Sequence, residues 1–184
     1  NNMPQHILIL VGSLRAGSYN RKIAEYVQAH APAGITFELG GIADLPLYNE
    51  DYDAASPPSY SRFRNQVQAA DGVLFVTPEY NRGMSAAMKN AIDVGSRPPV
   101  QNVWNNKPCA VISASPSTIG GMGANMQLRQ SLVVLNAPCM PMECYLHSVH
   151  LAFNEQGELS SEPVQKLLAK FVFALQEWVN RFKE

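Results

Sequence analysis

The stretch His6-Ile7-Leu8-Ile9-Leu10-Val11, cut off by Gly12-Ser13, constrains this chain more than any other. It lacks the polar alternation of a half-solvated strand and is too short for a buried helix, so it reads as a strand covered on both faces. Such a strand needs helices above and below it, and the sequence supplies them in alternation. After a Gly/Ser loop, Asn20 to Ala31 carries Ile23, Ala24, Val27 and Ala31 at helical spacing and is stopped by Pro32-Ala33-Gly34. The cycle then repeats: a strand over Ile35 to Leu39, a helix over Tyr60 to Ala70, and a buried strand from Gly72 to Thr77 ended by Pro78. A helix over Ser85 to Val94, a strand over Cys109 to Ser113 and a helix over Asn125 to Leu135 follow. Cys139 to Leu146 is a weaker strand interrupted by Pro141, and Val164 to Phe182 closes the chain as a long amphipathic helix. The alternation predicts an α/β fold: a parallel sheet with right-handed crossovers, helices on both faces and a ligand site beyond the carboxyl ends of the strands.

Residues 1–184 are expected to form one domain, with the Ala54-Ala55-Ser56-Pro57-Pro58 stretch as a surface loop and not a boundary. A hydrophobic content of 46% against 16% charged residues excludes a disordered chain. The formal charge of −1 and the absence of a Lys/Arg cluster or a membrane-length apolar run leave small molecules, not nucleic acid or membrane, as expected partners. Asn1 to His6 lacks the pattern of a secretory signal, so a cytoplasmic location is expected. Cys109, Cys139 and Cys144 show no CxxC spacing, which argues against a disulfide framework or a metal site and for core positions. His6, His30, His147 and His150 are scattered among element ends, where structural or solvated roles are expected.

The loops after the first, third and fourth strands are unusual in composition. The first, Gly12-Ser13-Leu14-Arg15-Ala16-Gly17-Ser18-Tyr19-Asn20-Arg21, gathers glycines, hydroxyls, a guanidinium and an amide ahead of a helix. Helix N-termini offer unpaired N–H groups and a positive dipole end, so the loop reads as a cradle for a phosphate monoester. Ser18 or Asn20 also reads as an N-cap, a role compatible with binding that leaves Arg15 unexplained. Gly12 to Gly17 match the opening of GxxxxGK[ST], but Ser18 stands where the lysine belongs, so ATP or GTP hydrolysis is not expected. No GxGxxG follows the first strand, although Glu38 near the end of the second leaves a dinucleotide reading some room. The second loop is Pro78-Glu79-Tyr80-Asn81-Arg82-Gly83-Met84-Ser85, and the third runs from Ser113-Ala114-Ser115 through Gly120-Gly121-Met122-Gly123-Ala124.

Together, GSLRAGSYNR, TPEYNRGMSAAMKNAIDVGSRP and the Gly120–Ala124 and Gln127-Leu128-Arg129-Gln130 segments resemble the NADPH-dependent FMN reductase family, from about His6 through at least His147. That family includes quinone and chromate reductases. The resemblance implies a flavodoxin-like three-layer fold with a five-stranded parallel sheet in the order 2-1-3-4-5. It implies FMN as cofactor, with Ser13, Arg15, Ser18 and Asn20 in its phosphate loop, Pro78, Glu79, Tyr80 and Asn81 along the isoalloxazine, and Ser115, Gly120 and Gly121 at a third flavin edge. It also implies a homodimer or homotetramer. Arg82 and Met84 depart from the family pattern, and Arg82 is a candidate to bind an acidic substrate or the NADPH phosphate.

No Ser-His-Asp, Cys-His or paired-carboxylate set stands out, and none is needed where a cofactor carries the redox chemistry. The expected cycle is ping-pong: NADPH or NADH reduces the flavin and leaves, then a quinone, free flavin, azo compound or metal ion such as chromate takes its place, with Tyr80 as acceptor platform. A flavodoxin-like electron carrier or an FMN-bearing redox sensor, neither oxidising NAD(P)H itself, is the alternative.

Overall fold

The computed structural model describes residues 4–183, so Asn1 and Asn2, the start of the stretch read for a leader, lie outside the described part. Five strands, β1 (Gln5–Val11), β2 (Ile35–Gly40), β3 (Gly72–Thr77), β4 (Cys109–Ala114) and β5 (Tyr145–Leu146), pair in parallel in the order β2-β1-β3-β4-β5. This is the flavodoxin-like order expected from the sequence. Five helices intervene: α1 (Tyr19–Ala29), α2 (Pro58–Ala69), α3 (Ala86–Gly95), α4 (Met122–Val134) and α5 (Glu162–Asn180).

The pleat sorts the apolar runs into two cores. Ile7, Ile9, Leu74, Val76, Ala110 and Ile112 face one way and pack on Ile23 and Val27 of α1 and on Leu168, Phe171 and Leu175 of α5. Their neighbours Leu8, Leu10, Val73, Phe75 and Val111 face the other way, onto α2, α3 and α4 through Phe63, Met88 and Leu128. β3 and β4 are buried along their whole length, which is why both read as continuous apolar runs. Each fully buried side chain of this kind contributes about 1.5–3 kcal/mol through the water it sheds.

Two elements differ from the sequence reading by more than two residues. The weak strand expected over Cys139 to Leu146 is paired only at Tyr145 and Leu146, with one isolated bridge from Cys139 to Cys109. Pro141, which has no N–H to give a ladder, sits between the two. Helix α4 begins at Met122 and not at Asn125, because Gly120 and Gly121 turn the chain with positive φ and the Gly-rich segment continues directly into the helix.

Candidate functional site

β1 sits between β2 and β3, so the chain leaves it in one direction and returns on its other side; in open α/β sheets ligands bind beyond the strand ends at such a switch point. The loop after β1 is held in shape by few contacts of its own. Ser18 caps α1, its Oγ accepting from Arg21 N at 3.1 Å, and the Arg15 guanidinium lies 5.5 Å from the centre of the Tyr19 ring. Among the described residues, the backbone N–H groups of Ser13, Leu14, Arg15, Ala16 and Gly17 have no protein acceptor. Asn20 is almost fully buried: its Nδ2 donates to Ala114 O at 3.1 Å, which fixes the orientation of the amide, and its Oδ1 has no partner.

The loop after β3 turns sharply. Tyr80 and Gly83 exchange backbone hydrogen bonds of 2.9 and 3.0 Å around Asn81 and Arg82, whose φ values of 52° and 65° are left-handed. Two left-handed central residues make a type I′ turn, which favours Asn-Gly, so Asn81 suits its place and Arg82 is strained. Ser85 caps α3 and also donates from Oγ to Gly12 O at 2.6 Å, joining this loop to the first. In the third loop, Ser113 Oγ donates to Gly120 O at 2.7 Å, and Ser115 N donates to Leu146 O at 3.0 Å.

The three loops enclose a cleft of about 180 Å³. Of the expected cofactor residues, Ser13, Arg15, Ser18, Asn20, Pro78, Glu79, Tyr80 and Ser115 line it together. Asn81, Gly120 and Gly121 do not; they shape the loops behind its wall. Arg82 does not line it either: its side chain is 73% exposed and lies 3.4 Å from the Glu79 carboxylate. Tyr19, Ala114 and Pro116 also line the cleft and were not singled out from the sequence, although each is adjacent to a residue that was. A larger groove of about 350 Å³, between the end of β5 and α5, is lined mainly by apolar side chains such as Leu146, Leu151, Val164 and Leu167.

Burial pushes the Cys144 thiol up to about 12 and raises Cys109 and Cys139 as well, so none is poised as a thiolate nucleophile. Among the described residues there is no cluster of His, Cys, Asp and Glu suited to a metal, and no helix long and apolar enough to cross a membrane.

The sequence profile of NADPH-dependent FMN reductases matches residues 5–150. The chain belongs to that family. Membership in the NADPH-dependent FMN reductases makes it a flavoprotein oxidoreductase whose cofactors are FMN and NAD(P)H. Family relatives span nearly its whole length. A quinone reductase of Pseudomonas putida is 49% identical over 176 residues, covering 95% of this chain and 94% of the relative. An NAD(P)H-dependent FMN reductase of Pseudomonas aeruginosa is 42% identical, covering 96% of each. Among solved structures, the flavoenzyme NAD(P)H:(acceptor) oxidoreductase FerB of Paracoccus denitrificans superposes with a TM-score of 0.90 at 37% identity, covering 97% of this chain and 98% of that one.

Proposed function

We propose that the chain, folded as one domain, holds FMN in the cleft between the three loops and reduces quinones with electrons from NADPH or NADH. The observation that carries this reading is the mismatch of satisfied and unsatisfied groups in the first loop. Five free N–H groups, with the Arg15 guanidinium beside them, suit a phosphate, and the buried, unpartnered Oδ1 of Asn20 suits a donor such as a ribityl hydroxyl. The residues present therefore fit the cofactor. Ser13, Arg15, Ser18 and Asn20 would hold its polar tail. Pro78, Glu79, Tyr80 and Asn81, through their backbone, and Ser115, Gly120 and Gly121 would border its ring.

Held by these residues, FMN would supply the redox chemistry, hydride acceptance from the reduced nucleotide and electron delivery to the acceptor. The chain's own part is to bind and to orient. A second molecule, donor or acceptor, would reach what the cleft holds from its open side. Tyr80, half exposed at the rim, offers a platform for that molecule. Arg82 adds a positive charge beside the opening, suited to an acidic acceptor or to a nucleotide phosphate. One opening serving both partners in turn gives a ping-pong order. A relative 38% identical to this chain is a 2-hydroxy-1,4-benzoquinone reductase, which supports quinones as the acceptor class; free flavins, azo compounds and chromate fit the same open site.

Two further readings complete the proposal. The free cysteines suit a reducing compartment, the cytoplasm. The outward face of α4, with Met122, Met126, Val133 and Val134 exposed, supports a homodimer or homotetramer. The kinetic order is tested by stopped flow without acceptor: nucleotide oxidation in that half-reaction is expected, and oxidation only when acceptor is also present contradicts ping-pong.

A further inference from the structure

Helix α4 opens on Gly121, in the left-handed conformation at φ 75°, which has no side chain to cap the free N–H groups of the first turn. The cap arrives from the neighbouring loop. Glu79 Oε2 accepts from Ala124 N, the third helical residue, at 3.1 Å, and only 9% of the Glu79 side-chain surface is exposed. This is the bond that a local Ser or Asp N-cap makes, supplied across 45 positions, and its negative charge sits at the favourable end of the helix dipole. One turn further on, Gln127 Oε1 accepts from Met84 N at 2.8 Å. The close approach depends on Gly123, where an added Cβ would lie 2.6 Å from Arg82 O and 2.8 Å from Glu79 Oε2. Between these two ties sits the Tyr80–Gly83 turn with its left-handed arginine. Such a residue costs about 1–2 kcal/mol and persists only where its surroundings hold it.

We infer that Glu79 is a positioning residue: its carboxylate ties the loop after β3, which forms one wall of the cleft, to the first turn of α4, so that this wall is held on the helix that follows the third loop. The consequence for FMN rests on the reading proposed above, whereas the tie itself does not. The Glu79 side chain serves α4 while the residue also lines the cleft.

The test uses the FMN-loaded protein and three variants. Glu79→Ala removes the acceptor, Glu79→Asp keeps the charge one methylene short of the helix, and Glu79→Gln keeps an acceptor oxygen at full reach without the charge. Amide hydrogen exchange at Ala124 and flavin released on dilution, seen as recovered fluorescence, are read for each. Ala and Asp are expected to speed exchange at Ala124 about tenfold and to release FMN about tenfold more readily. Gln is expected to stay within about threefold of the parent on both. Should Ala not fold, the Asp and Gln pair decides. Unchanged exchange at Ala124 in Ala or Asp overturns the tie, as does Gln behaving like Ala. A parent protein that holds no FMN overturns the cofactor reading instead, and exchange at Ala124 still decides the tie.

Discussion

At the amino end of the sheet, His6 N donates to Asp71 Oδ2 at 2.7 Å, Gln5 Nε2 to Asn180 Oδ1 at 2.6 Å, and Lys107 Nζ to the carbonyls of Gln68 and Ala70 at the end of α2. At the carboxyl end, five consecutive N–H groups and a buried amide oxygen have no partner among the described residues. Among the described residues, Gln5 Oε1 and Gln66 Oε1, in the last turn of α2, are buried side-chain atoms toward the amino end that share this state. Buried polar groups are normally paired, so the orphaned Oδ1 of Asn20 stands out, whereas the loop N–H groups of Leu14 to Gly17 lie on exposed residues, open to solvent or to a ligand. One end closes the structure, and the other, on the function proposed above, keeps its hydrogen-bonding capacity for a ligand. Substitutions at the two ends should therefore separate stability from binding.

The largest effect is expected at the amino end. Trp104 is fully buried against Phe63 and Phe75 and donates from Nε1 to Ile92 O at 2.9 Å. Trp104→Ala should cost about 3–5 kcal/mol in urea unfolding. FMN affinity of the molecules that remain folded should not change; a parallel loss of affinity would break the division. Arg15→Ala should do the reverse, weakening FMN about 10- to 100-fold through one lost charge-assisted contact while moving stability by no more than about 0.5 kcal/mol. Fluorescence titration and urea unfolding of the same preparation check both halves.

A smaller effect concerns Lys107. Burial pushes its pKa below the ordinary value of 10.5. The folded protein then gives up this proton at lower pH than the unfolded chain does, so the lysine's contribution to stability rises with pH between its lowered value and 10.5. Relative to Lys107→Met, the parent should gain stability from pH 8 to pH 10.5, with equal FMN affinity in the two proteins at each pH. A flat difference would contradict the burial argument.

The sequence made the sheet legible because β1, β3 and β4 are buried on both faces and so read as unbroken apolar runs. β5 was blurred because its pairing is two residues long and Pro141 interrupts the approach to it. The first-loop residues and the Pro78–Tyr80 wall were legible as motifs, and they do converge on one cleft. The turn at Asn81-Arg82 was not, since arginine carries no signal for a positive φ and the contacts that hold it come from α4. For the same reason the start of α4 was placed late: its cap is Glu79, far away in sequence, and a search for local N-caps passes over it.

The most direct test of the central claim, that the carboxyl-end cleft holds FMN for reduction by a nicotinamide nucleotide, is an anaerobic absorbance titration of the protein with FMN, followed by NADPH or NADH. Stoichiometric uptake, rapid bleaching by at least one nucleotide, and weakened uptake in Arg15→Ala are the expected result. Absence of FMN uptake, or uptake indifferent to Arg15, would contradict it.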